Sequence, residues 1–305
     1  MIVGKVYIGY LHIPNLYRPE GQTILMFKEC FAMEKIHGTS AHITWKRNPS
    51  NPAQRQLVFF SGGTKYDTFV ALFDKDALTA AFVNMGLPID KDVIVYGESY
   101  GGKEQDMGDT YGKTAKFVAF DVQIGDCWLD VPNAEAFVKS LGLEFVHYKR
   151  VTTDLAALDA ERDADSEQAI RNGIGPGKKR EGVVLRPLIE LTKNNGARVI
   201  CKHKRDEFRE TKTPRPVVDP AKMQVLADAE RIADEYVTTM RLQHVLDKLP
   251  GHSIEKMRDI IAAMQADVLR EGAGEIVESD AAKKAIGKKT AVMYKDYLKS
   301  QIGSK

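Results

Sequence analysis

Two prolines within one short stretch, Thr213-Pro214-Arg215-Pro216, separate segments of opposite periodicity. Proline fixes φ and removes a backbone donor, so neither a helix nor a sheet ladder runs easily through such a stretch. Before it, short β-branched or aromatic runs bounded by Gly, Pro, Asn or Asp read as strands. The candidates are Val3–Ile8, Cys30–Ile36, Ala41–Trp45, Gln56–Phe60, Asp92–Ser99, Lys116–Ile124, Glu181–Arg186 and Arg198–Lys204. Helical spacing interrupts them at Phe69–Met85 and Asn133–Leu141, with Asn133 after Pro132 as the expected cap. Asp154–Gln168, acidic and Ala-rich, reads as a helix or a mobile insert, and Gly173-Ile174-Gly175-Pro176-Gly177 as a turn. Beyond the prolines, Ala221–Tyr236, Arg241–Leu249, Ile254–Arg270 and Ala281–Gln301 all carry apolar residues at helical spacing. The expected fold is therefore α+β, with one mixed domain over residues 1–215 and a small all-helical domain over residues 216–305.

The chain has 305 residues, 43% hydrophobic and 28% charged, which is enough apolar material for a core in each domain. No apolar run approaches the ~18 residues of a membrane span, and Met1–Tyr10 lacks a signal-peptide layout. A cytoplasmic protein is expected. Cys30, Cys127 and Cys201 are widely spaced and odd in number, which argues against a disulfide framework or a structural zinc. Net charge is only +2, so a nucleic-acid partner must be met by a local patch. Candidates are Lys178-Lys179-Arg180, Lys202-His203-Lys204-Arg205 with Arg209, and Lys283-Lys284 with Lys288-Lys289. Each alone reads most simply as a solvated face.

Five segments carry possible chemistry. In Glu34-Lys35-Ile36-His37-Gly38, strand alternation puts Lys35 on one face with Phe31 and Met33. Lysine is rarely buried without a partner, and burial favours the neutral amine that nucleophilic attack requires. Gly38 would let a ligand approach the backbone. On this segment alone, a surface lysine at a strand end reads equally well. In Val95-Tyr96-Gly97-Glu98, Glu98 ends an apolar row shared with Ile94 and Tyr96. That suits a carboxylate accepting hydrogen bonds from a ribose, or a plain edge-strand glutamate.

In Phe117-Val118-Ala119-Phe120-Asp121, an aromatic ring able to stack on a purine precedes an acid, although a core phenylalanine is the simpler account. Glu181 opens an apolar strand after a basic Gly-rich loop, a place from which a carboxylate can hold Mg²⁺. Lys202 and Lys204 share a strand face in Cys201-Lys202-His203-Lys204. Two cations so close call for an anion between them, or else mark a basic edge strand.

The order of these elements is more telling than any one of them. Lys-x-x-Gly, Gly-Glu, aromatic-Asp, Glu-Gly-Val-Val and Lys-x-Lys, in sequence from Lys35 to Lys204, resemble the covalent nucleotidyltransferase superfamily of polynucleotide ligases and mRNA capping enzymes. His37, where DNA ligases and capping enzymes usually carry Asp, makes EKIHGTS similar to the RNA ligase 2 group. That group also has a helical C-terminal domain.

The resemblance implies a nucleotidyltransferase domain of ATP-grasp-like antiparallel sheets and an ATP-dependent RNA ligase. Lys35 would take AMP from ATP, pass it to an RNA 5′-phosphate, and leave a 3′-hydroxyl to displace it. It implies catalytic roles for Lys35, Glu181, Lys202 and Lys204, and nucleotide contacts at Glu34, Ile36, Glu98, Phe120 and Asp121. Phe120 would stack on adenine, Glu34 would fix the base edge, and Glu98 would bind the ribose. Glu181 would hold Mg²⁺ or Mn²⁺. The implied partner is RNA, or an RNA-containing duplex, with 3′-hydroxyl and 5′-phosphate ends. A monomer with no membrane association is expected. An mRNA guanylyltransferase and a non-catalytic nucleotide- or RNA-binding module are the alternatives. One departure stands out. The group has an essential arginine after the lysine motif. Here Phe59-Phe60-Ser61-Gly62-Gly63-Thr64-Lys65 occupies that region, with Arg55 and Lys65 near but neither matching.

Overall fold

The alternating segments before Lys204 pair into antiparallel sheets. The computed structural model describes residues 9–87, 90–212, 227–249 and 251–302. The strand expected at Val3–Ile8 and the boundary expected at Thr213-Pro214-Arg215-Pro216 lie outside these residues. The strands are β1 (Glu29–Lys35), β2 (Thr39–Asn48), β3 (Asn51–Ser61), β4 (Val93–Gly101), β5 (Ala115–Ile124), β6 (Cys127–Trp128), β7 (Tyr148–Thr152), β8 (Gly182–Arg186) and β9 (Cys201–Lys204). One sheet has the order β7-β1-β8-β9 and the other β3-β2-β4-β5-β6. The chain divides into two units, Met1–Lys204 and Arg205–Lys305.

Period-2 alternation decides what each strand buries. In β1, Phe31 and Met33 enter the main core, which β2 and β4 build with Ile43, Trp45, Val93 and Val95. Trp45 stacks on Phe82 at 5.4 Å between centroids. Burying such a ring is worth about 2–3 kcal/mol.

Several local expectations are corrected. Phe69–Met85 is not one helix but two, Tyr66–Val70 and Lys75–Asn84, because Asp74 caps the second by accepting from the Asp76 and Ala77 amides. Asn133 is not the cap of its helix. The helix spans Val131–Ser140, and Asp130 accepts from the Asn133 amide at 3.0 Å. Pro132 sits in the first turn, where its missing N–H costs nothing. Asp154–Gln168 is ordered into the helix Leu155–Arg162 and the start of the helix Glu167–Arg171. Gly173, Gly175 and Gly177 adopt φ of 79°, 99° and 82°, the turn conformation expected of them.

The second unit is helical among its described residues. Helices Ala229–Tyr236, Thr239–Asp247, Met257–Glu271 and Asp280–Ile302 pack around Leu242, Leu246, Met264, Val268 and Ile286. Buried Arg241 ion-pairs with Asp267 at 2.5 Å and donates to the Tyr236 carbonyl at 2.9 Å. Of its basic pairs, Lys289 binds Asp234 at 2.7 Å, whereas Lys283, Lys284 and Lys288 are exposed. Among the described residues, no helix is long and apolar enough to cross a membrane.

Candidate active site

The turn from β1 into β2 carries the chain from one sheet to the other and passes over the end of β4. Gly38 makes that passage possible. A Cβ there would lie 2.3 Å from the Ser99 carbonyl oxygen and 3.0 Å from Glu98 Cγ. Without one, the Gly38 amide donates to Glu98 Oε1 at 3.2 Å. The Lys-x-x-Gly spacing thus sets Lys35, at the end of β1, beside Glu98 on β4.

Glu181 precedes β8 and is 1% exposed. Lys35 Nζ donates to its Oε2 at 3.0 Å, and Lys204 Nζ lies 2.7 Å from its Oε1. His37 Nδ1 approaches Oε2 at 3.2 Å. The register explains the convergence, because Gly182 pairs with Lys35 on one side and with Lys204 on the other. Burial disfavours a charged Glu181. The fields of Lys204, Lys35 and His37 together outweigh burial and hold its carboxyl well below the usual range. Glu98 behaves oppositely. Burial pushes it up to about 7, Lys35 pulls down, and Glu181 adds to the rise. Lys35 itself is 22% exposed along its side chain. Its amine meets a carboxylate, not the purely apolar setting that alternation with Phe31 and Met33 suggests.

The other sequence-derived residues divide. Lys202 shares the Lys204 face of β9 and is buried, and its backbone pairs with Pro14 and Leu16. Phe120 is the extra residue of a β-bulge. Tyr96 pairs with Asp121 and Gly97 with Ala119, leaving Phe120 unmatched on β5 and half-buried. A Cβ on Gly97 would lie 2.4 Å from Phe117 Cζ, so glycine is required beside the bulge.

Glu34 and Ile36 turn away from the cluster. Glu34 accepts from Ser166 Oγ at 2.6 Å and from the Gln168 amide at 3.2 Å, tying β1 to the start of the helix Glu167–Arg171. Ile36 is 4% exposed and belongs to the apolar core. Glu34 follows from alternation, because Lys35 claims the opposite side of the strand, whereas Ile36 lies just past the end of β1 and joins the same core as Phe31 and Met33.

Asp121 joins a different buried network. Arg186 donates to its Oδ1 at 2.9 Å, Arg198 to its Oδ2 at 2.6 Å and Tyr10 to the same oxygen at 2.5 Å. Glu190 pairs with both arginines at 2.6 Å.

Neither arginine-like candidate joins the cluster. Arg55 lies six residues from Ser61 along β3, about 20 Å at strand rise. It is held by the Trp45 carbonyl at 3.1 Å and lies over the Trp45 ring. Lys65 is exposed, at the end of a loop fixed by Gly62 to Ser40 and by Thr64 to Ser99. Tyr111, which sequence patterning does not flag, accepts from the His37 amide at 3.3 Å.

A resident metal cage is absent from this arrangement. Among the described residues no three His, Cys, Asp or Glu side chains gather as ligands. Glu181, the expected metal ligand, has each oxygen facing a lysine. The site fits a divalent ion that arrives on a triphosphate and keeps phosphate and water ligands.

Among curated proteins, none matches the chain in sequence. Solved structures of an RNA ligase from Naegleria gruberi are similar at 14% identity. One, with PPi, gives a TM-score of 0.49, covering 67% of this chain and 58% of that one. Another, a mutant with ATP and Mn, gives 0.48 with the same coverage. The chain thus spans 58% of the length of these ligases. The family model described as RNA ligase matches residues 28–204, the stretch that runs from β1 through β9 and holds every member of the Glu181 cluster; the chain belongs to the RNA ligase family.

Proposed function

We propose that the protein is an ATP-dependent RNA ligase whose nucleophile is the Lys35 amine. The observation that carries this is the Glu181 carboxylate, buried between Lys35 at 3.0 Å and Lys204 at 2.7 Å. Lys35 attacks the α-phosphate of ATP, forming an N–P bond as pyrophosphate leaves. AMP then passes to an RNA 5′-phosphate, and a 3′-hydroxyl displaces it. Glu181 orients the Lys35 amine. Its depressed pKa makes it a poor proton acceptor, so orientation and charge compensation are its parts. Lys204 and Lys202 neutralise charge that develops on the α-phosphate. Glu98 accepts from ribose hydroxyls, and Phe120 stacks on adenine. A divalent ion bound with ATP would screen the triphosphate during attack.

The working form in this proposal is a cytoplasmic monomer acting on RNA 3′-hydroxyl and 5′-phosphate ends. Residues 1–215 suffice for adenylation, and residues 216–305 serve the RNA.

Incubation with radiolabelled ATP or GTP, followed by peptide mass spectrometry, tests the proposal. The expected result is AMP on Lys35, lost in Lys35→Ala, with sealing of a 5′-phosphate nick in RNA. Label from GTP alone would indicate a guanylyltransferase. No label from either nucleotide would indicate a binding module.

A further inference from the structure

The segment before the lysine motif carries no expected site residue, yet it lies along three of them. Pro14 and Leu16 exchange backbone hydrogen bonds with Lys202, both at 2.9 Å. Six residues back from Leu16, Tyr10 sets its ring against Phe120, with centroids 4.9 Å apart and planes at 80°. Its hydroxyl donates to Asp121 Oδ2 at 2.5 Å and accepts from Arg198 at 2.9 Å. Asp121 directly follows the bulged Phe120. One short segment therefore braces the bulge, its ring and the acid beside it.

We propose that Tyr10 is a positioning residue for ATP. Its ring, fixed through its hydroxyl to Asp121 and Arg198, holds the Phe120 ring in the orientation that receives the purine. The Tyr10 ring also meets Tyr96 at 5.0 Å and Trp128 at 5.8 Å, so it ties Phe120 to an aromatic cluster on the same sheet. A residue on a bulge lacks a cross-strand neighbour at its own position, so a side chain from elsewhere must set its direction. An edge-to-face contact fixes the half-buried Phe120 ring from one side, and stacking on a purine needs only one of its faces. The inference rests on the proposal that Phe120 stacks on adenine.

A double-mutant cycle in the full-length protein separates the two ideas. ATP affinity is measured by titration in a Lys35→Ala background, which cannot form the adduct. Base–aromatic stacking is worth enough that Phe120→Leu should weaken ATP binding by about tenfold. Tyr10→Leu should weaken it comparably, and Tyr10→Phe by about threefold through loss of the hydroxyl anchor alone. The decisive result is non-additivity: the double variant Tyr10→Leu/Phe120→Leu should bind ATP no more weakly than Phe120→Leu. A merely structural Tyr10 would give additive losses, and additivity overturns the proposal. Unchanged affinity in Tyr10→Leu, with the expected loss in Phe120→Leu, overturns it while leaving Phe120 as the stacking residue. Unchanged affinity in Phe120→Leu removes the stacking role itself, and the proposal with it. Circular dichroism checks that each variant folds. Should Tyr10→Leu not fold, Tyr10→Phe carries the same cycle, and no loss of affinity in it overturns the anchor.

Discussion

Two buried carboxylates in the first unit, Glu181 and Asp121, sit among cations and have different fates. Glu181 receives Lys35, Lys204 and His37. Asp121 receives Arg186 and Arg198, with Glu190 balancing the second arginine charge. Arginine keeps its charge at any accessible pH, and its planar fork fixes geometry. Lysine and histidine can exchange protons, and lysine offers a point charge with little directional demand. The Asp121 network is thus neutral and directional, which suits a joint between β5 and β8. The Glu181 cluster can exchange a carboxylate contact for a phosphate one. A motif acid beside an aromatic and a motif acid before a strand look alike in sequence. The type of cation around each tells them apart.

The sharpest test of this contrast exchanges stability for activity. Glu181→Ala should leave the fold intact and lower the rate of lysine–AMP formation by about 10²–10³. Single-turnover labelling with ATP reads that rate, and a loss under threefold would place Glu181 outside the chemistry. Asp121→Ala should act first on stability. It strands two buried arginines against one remaining carboxylate, a loss on the order of 3–5 kcal/mol in urea unfolding. If Asp121→Ala unfolds no more easily than Glu181→Ala, the two clusters do not differ as their cations suggest.

Strand alternation made Lys35, Glu98, Glu181 and Lys204 legible, since each lies at or near a strand end on a face that period 2 assigns. The same rule places Glu34 opposite Lys35, so its separation from the cluster was readable too. β6 had a signal in the two-residue Gly125-Asp126 link of its hairpin. β7 had little. Its Lys149 and Arg150 break any apolar run, yet basic residues suit an exposed edge strand. Tyr10 and Tyr111 were not legible, because their partners lie 111 and 74 residues away. No local periodicity encodes such a contact. The bulge at Phe120 escaped for a related reason, since it is a shift in the pairing of β5 with β4, where Tyr96 meets Asp121 and Gly97 meets Ala119.

Glu98 stands at the edge of the first cluster and gives a pH signature. Burial raises its pKa from 4.5 to about 7. Between those values the folded chain holds a proton that the unfolded chain has released. Stability from this group therefore falls as pH rises through that window and is constant above it. Glu98→Gln keeps an acceptor for the Gly38 amide but cannot ionise. The loss in unfolding free energy between pH 5 and pH 8 should then be smaller than in the parent by on the order of 2 kcal/mol. Matching pH profiles for parent and variant would show that Glu98 ionises normally and is better solvated than its contacts indicate.

The smallest expected effect concerns a third carboxylate, Glu34, held mainly by neutral donors. Burial raises its pKa, while Ser166, Arg180 and the Gln168 amide pull it down. Ser166 is both its partner at 2.6 Å and the cap of the helix Glu167–Arg171, accepting from the Ala169 amide at 3.0 Å. Ser166→Ala removes both bonds, and loss of such a cap typically costs about 1 kcal/mol. If Glu34 only ties β1 to that helix, the variant should melt a few degrees lower and bind ATP as the parent does. If Glu34 also fixes the adenine edge, releasing its carboxylate should shift ATP affinity as well. Calorimetric melting and ATP titration on the one variant distinguish a carboxylate that holds the fold from one that also reads the base.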